Sequence, residues 1–154
     1  MEHAHHHGSA PTRAAIQATL HCLTGCAIGE ILGMVLSAAL GLGNALSVLV
    51  SVLLAFIFGY ALTLRPVIAA GVAPRRAMRL AVASDTVSIA TMELVDNAFI
   101  LLVPGAIAAG LTDGLFWWSL LVSLVIAFCA AVPVNRWLIA RGRGHAVVHE
   151  FHHH

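Results

Sequence analysis

One apolar stretch of the chain carries a histidine, two cysteines and a glutamate in close order: His21-Cys22-x-x-Gly25-Cys26-x-x-Gly29-Glu30-x-x-Gly33-Met34. Residues four apart stack on one face of a helix, so Cys22, Cys26, Glu30 and Met34 form a slowly winding row. Gly25, Gly29, Gly33, Ser37 and Gly41 form the row beside it. A second stretch carries Asp85, Ser88, Met92, Glu93, Asp96 and Asn97. At about 100° per residue these share one broad face, with Val87, Leu94, Ala98 and Leu101 on the other. Thiolates and thioethers suit Cu(I) or Zn(II), and imidazole extends the range to Cu(II), Ni and Fe. The candidate metal ligands are therefore His21, Cys22, Cys26, Glu30, Met34, Asp85, Met92, Glu93 and Asp96, with Asn97 and Cys129 as polar support. Each type also has a plainer use: Cys and Met as apolar filler, glycine at four-residue spacing as helix packing.

The composition says what kind of element holds these groups. Of 154 residues, 60% are hydrophobic and 10% are charged, whereas soluble domains carry about 25% charged residues. A chain this poor in charge is expected to live in a lipid bilayer, which needs about 20 apolar residues per spanning helix. Four stretches qualify, at 19–42, 45–64, 80–103 and 115–139, separated by Gly- and Pro-bearing breaks. The expected fold is an all-α, integral membrane four-helix bundle. A domain at 18–140 would lie between a histidine-rich tail at 1–17 and another at 141–154. No cleaved signal peptide is expected, since His21, Cys22 and Glu30 interrupt the first apolar run.

All eight cationic residues are arginines. They precede the first span (Arg13), separate the second from the third (Arg65, Arg75, Arg76, Arg79) or end the fourth (Arg136, Arg141, Arg143). That pattern puts both termini in the cytoplasm of a bacterial inner-membrane protein. Trp117 and Trp118 would mark the outer boundary and Trp137 the inner one. The second span has only small hydroxyls inside it and is expected to lie toward lipid. The net charge of +1 suggests no nucleic-acid partner.

Four of the seven acids, Glu30, Asp85, Glu93 and Asp96, fall inside spans. On insertion scales their bare cost is roughly 10–14 kcal/mol. No arginine lies deep enough to pair with the central ones, so they must be protonated, hydrogen-bonded, hydrated in a cavity or bound to a cation. Counting about 1.5 Å per residue from the inner boundary places Cys22 and Asp85 shallow and Glu30 and Glu93 level near mid-membrane. Met34 and Asp96 fall further out, and Cys129 falls near the level of Cys26.

Nine of the ten histidines are in the tails. With a free amine at Met1, His3 would complete a square-planar four-nitrogen site for Cu(II) or Ni(II). His145, His149 and His152 would share one helical face as an auxiliary site. The alternative reading of both clusters is a purification tag or its remnant.

The pair of motifs His21-Cys22-x-x-Gly25-Cys26-x-x-Gly29-Glu30 and Met92-Glu93-x-x-Asp96-Asn97 resembles a bacterial family of small four-helix membrane proteins catalogued as a domain of unknown function. The resemblance covers about residues 18–143 and implies the architecture and this polar signature, without an activity. The cysteine-bearing first helix also looks like the four-helix bacterial mercury-uptake proteins in theme, though the cysteine spacing and the intramembrane acids differ.

The expected function is binding and translocation of a transition-metal ion, copper foremost and zinc or another metal as alternatives, with the lipid bilayer as surroundings. A proton or monovalent-cation pathway through the carboxylates is the second possibility, and a structural subunit of a membrane complex the third. The glycine row would serve a homo-oligomer interface or pack internally. P-loop, dinucleotide, Ser-His-Asp and HExxH patterns are all lacking, so no enzyme is expected. His21 and Glu30 leave haem ligation open, and thiol–disulfide chemistry is disfavoured by cysteines four apart on one helix.

Overall fold

The computed structural model describes residues 9–141, with side chains from Thr12 onward. The tail histidines His3, His145, His149 and His152 lie outside the described residues. Four helices account for nearly everything described: α1 (Ser9–Leu40), α2 (Asn44–Ala69), α3 (Pro74–Leu102) and α4 (Gly114–Ala140). A single 3-10 turn, Ala106–Ala108, interrupts the connection between α3 and α4. Among the described residues there is no strand, and the fold is all-α.

The helices run past the expected spans. α1 begins at Ser9, α2 continues through Pro66 to Ala69, and α3 begins at Pro74. Pro66 in the final turn leaves the Leu62 carbonyl without its helical donor, while its own carbonyl accepts from Ala70 N–H at 3.0 Å. Two of the helices stop by the same device. Gly41 and Gly71 take left-handed φ values of +63° and +87°. The next residue then donates back five positions, Leu42 to Ser37 at 2.9 Å and Val72 to Val67 at 3.3 Å. Pro74 then opens α3, where its missing N–H costs no helical bond. Gly41 is thus a helix stop and not a member of the packing row: a Cβ placed there would meet nothing.

Short connections make neighbouring helices antiparallel, and α1 and α3 face each other diagonally across the core. The largest interface is α1 on α2. A Cβ on Gly25 would lie 2.6 Å from Gly59 Cα, and Cβ atoms on Gly29 and Gly33 would collide with Ala55 and Ser51. The glycine row is therefore filled by α2 within the same chain. The second span, expected to lie toward lipid, has the smallest buried share of the three membrane-long helices, yet one of its rows is committed to α1. α2 buries Ser51, Ala55, Gly59, Thr63 and Val67 at every fourth position, and only its opposite face is exposed.

The bundle is small and polar inside, large and apolar outside. Ser119, Ser123, Ala127, Ala131 and Asn135 form the inward row of α4, while Leu94 is 73% and Leu102 82% exposed. This inversion suits a lipid surrounding, where close approach of small residues drives helix association. Three segments, Thr12–Leu40, Asn44–Ala69 and Gly114–Ala140, are long and apolar enough to cross a membrane. α3 has the length but not the apolar composition, because its arginines and three acids lower it. Trp117 and Trp118 at one end of α4 and Trp137 at the other are about half exposed. The Arg141 guanidinium rests 4.3 Å from the centroid of Trp137.

Candidate functional site

α1 and α3 bring the thiols and acids together because each has one small, polar row and both rows face the centre. Cys22, Cys26 and Glu30 are buried on α1, and Asp85, Ser88, Met92, Glu93 and Asp96 on α3. They meet as successive rungs across the core. Cys22 lies against Asp85 and Ser88. One turn along, Cys26 lies against Glu93. In the next turn Glu30 faces Asp96, with Glu93 also near.

Hydrogen bonding divides the rungs. Asp85 Oδ1 accepts from Ser84 Oγ–H at 2.7 Å. The Asn97 amide donates to the Glu93 backbone carbonyl at 2.8 Å and reaches Glu93 Oε2 at 3.5 Å. Both oxygens of Glu30, Oε1 of Glu93 and Oδ1 of Asp96 are buried and receive no N–H or hydroxyl donor; the hydrogen bond open to Glu30 is a proton shared with the Asp96 carboxyl it faces. Leaving a polar group unmatched in an apolar interior costs about 1–3 kcal/mol, and more for a charge. All three acids line a cavity of about 60 Å³, with Met34, Ser51, Asn97, Phe116 and Ser119. That space is enough for several waters or one partly dehydrated cation.

Below the cavity the column turns apolar. Cys22 and Cys26 pack with Ala55, Ile89, Met92, Ala127 and Ala131. Met92 is thus placed with the thiols, whereas Met34 lines the acid cavity. His21 is half-buried and sits about 100° around the helix from Cys22, off the row. Cys129 is exposed, turned out of the bundle, which removes it from the column in which its depth had placed it. Ala127 and Ala131 occupy the inward positions around it. Among the described residues no three His, Cys, Asp or Glu side chains converge on one point as a metal's ligand set. The groups form a ladder of pairs, not a closed cage.

Other polar residues belong to this column without having been singled out from the sequence. The Asn135 amide of α4 donates to Thr19 Oγ1 and to Ser88 Oγ, tying three helices beside Cys22. Its signal was available: a lone amide inside the apolar run of α4, on the row of Ser119 and Ser123. Ser51 and the loop residue Ala106, which complete the cavity wall, carried no such signal.

The fold and site define a small all-α four-helix bundle with membrane-like helices and a buried thiol–carboxylate seam between α1 and α3. The chain belongs to the family described as a domain of unknown function (DUF4396), whose model matches residues 12–144. No curated protein and no solved structure matches it.

Proposed function

We propose that this is a multi-pass protein of the bacterial cytoplasmic membrane, both termini cytoplasmic, that binds and passes a transition-metal ion, copper foremost. The observation that carries the reading is the cavity lined by Glu30, Glu93 and Asp96, whose carboxyls receive few donors from the protein, directly above Cys26 and Cys22. Acids in a membrane interior are costly and mark ion or proton paths. Here a cation would supply the missing partner. Oxygen ligands accept a cation that is losing water, and the deeper thiols suit a soft one. Pairs in series favour exchange from rung to rung over permanent capture, as conduction requires. The arginine-rich ends support the orientation, and the histidine tails would buffer metal on the cytoplasmic side.

The separation of the acid cavity from the apolar packing of the thiols favours a second reading, a proton or monovalent-cation path in which the cysteines only fill space. Elemental analysis of detergent-purified, tag-free protein separates the two. The metal reading expects bound transition metal that is lost in Glu30→Gln and reduced in the Cys22→Ser/Cys26→Ser chain. Wild type holding no more metal than Glu30→Gln would remove it. Ion flux abolished by Glu30→Gln or Glu93→Gln but indifferent to thiol removal would establish the second.

A further inference from the structure

Two cavities meet at the end of the bundle that carries the α1–α2 and α3–α4 connections. Met34, Asn44, Ser47 and Ile107 border the acid-lined cavity and also a larger one of about 200 Å³. The larger one is walled by the last turns of α1, the turn at Gly41 and the loop through Leu111. Its polar side chains are uncharged: Ser37, Asn44 and Ser47. Ser37 is 4% exposed, and its Oγ has no hydrogen-bond partner. The loop is held in shape. Asp113 Oδ2 accepts from Gly110 N–H at 2.8 Å, and Trp117 Nε1–H donates to the Leu111 carbonyl at 2.9 Å. Gly105, at φ +81°, starts the turn that buries Ala106 in the wall of the acid cavity.

We propose that this outer cavity is the entrance to the acid site: a vestibule for a hydrated cation, with Met34, Ser47 and Ile107 as its neck. Its volume accommodates a cation with part of its water shell. The hydroxyls of Ser37 and Ser47 and the Asn44 amide oxygen can replace some of those waters, and the carboxylates behind the neck replace more. On the far side of the acids the core is filled by Cys22, Cys26, Ile89, Met92, Ala127 and Ala131, so the approach runs from the loop end. Three carboxylates behind an uncharged neck make the entrance selective for positive charge. What passes rests on the cation reading above; the opening itself does not.

The test uses the full chain carrying Cys129→Ser with either Ser47→Cys or Ser37→Cys, in sealed membranes at about pH 8. Labelling rates are measured with membrane-impermeant cationic and anionic methanethiosulfonates. The cationic reagent should be faster by roughly tenfold or more, and the two rates should converge when Glu93→Gln/Asp96→Asn is added. Equal rates for the two reagents with all acids present would overturn the entrance. So would failure of both cysteines to label in folded protein that labels fully once denatured. Charge-selective labelling in a chain that retains no transition metal would uphold the entrance and remove the metal reading. Metal retained without labelling would do the reverse.

Discussion

The side-chain amide of Asn135 on α4 donates to Ser88 Oγ on α3 at 3.0 Å, and its second hydrogen goes to Thr19 Oγ1 on α1 at 2.8 Å. All three residues are buried. Thr19 in turn donates to the Ala15 carbonyl at 2.7 Å, and Ser88 lies against Cys22. One amide thus fixes the relative rotation of three helices at the level of the first rung. Inter-helical hydrogen bonds in membrane bundles contribute about 0.6 kcal/mol each, up to about 1.7. Asn135→Leu should therefore lower bundle stability by about 1–3 kcal/mol, read as an earlier thermal transition of the detergent-solubilised protein. An unchanged transition would show the network to be incidental.

Gly29 within α1 and Gly41 just past its end should both lose stability on replacement by alanine, for different reasons and by different amounts. At Gly29 the new methyl would overlap the Ala55 backbone, so α1 and α2 must separate, with a loss of about 2 kcal/mol or more. At Gly41 nothing stands near the added atom, and only the positive φ of +63° resists it. The cost there is about 1 kcal/mol. Comparing Gly29→Ala and Gly41→Ala by thermal aggregation in one detergent checks the order.

Neutral replacement of the cavity acids should separate stability from function. Glu30→Gln, Glu93→Gln and Asp96→Asn keep shape while removing an ionisable carboxyl from a buried position. Each should leave the metal-free bundle as stable as wild type or more so. Each should also weaken cation binding by roughly tenfold or more, the loss expected when one charged ligand of a few is removed. Titration calorimetry and melting on the same samples give both quantities. A large destabilisation of all three variants would mean that these carboxylates are structural.

Native thiols should divide two to one. Cys22 and Cys26 are each 1% exposed and Cys129 faces outward. A lipid-soluble maleimide should add once to the folded chain, at Cys129, and three times after denaturation, as counted by intact-mass spectrometry. Rapid double or triple addition to the folded protein would contradict the burial of the first two rungs.

Three helices were legible in the residues as long apolar runs that break at glycine and proline, and α3 as a stretch of similar length whose acids interrupt the run. The inward face of α3 was legible too, since acids cannot stand in lipid and collect on one side. The partner of the glycine row was not. Gly25, Gly29 and Gly33 announce a close approach to some helix, but the four-residue row of Ser51, Ala55 and Gly59 answers it only once α2 folds back beside α1. Cys129 shows the same limit from the other side. Depth along an axis can be counted from sequence, whereas the rotation of α4 that turns this thiol outward is set by packing Ala127 and Ala131 against the core.

The amino-acid order by itself determined which groups are available and how they are spaced along each helix, with arginines gathered at the ends. Helical rise is a property of the backbone, so spacing within a helix follows from counting; the register between helices does not, and counting had set Glu93 level with Glu30 where it lies a turn away beside Cys26. Only the tertiary structure decided which groups face each other and where space remains. Glu30 meets Asp96, Cys26 meets Glu93, and a loop far along the chain closes the cavity above them. Those outcomes depend on the rotation and close packing of four helices at once, and no single helix carries that information.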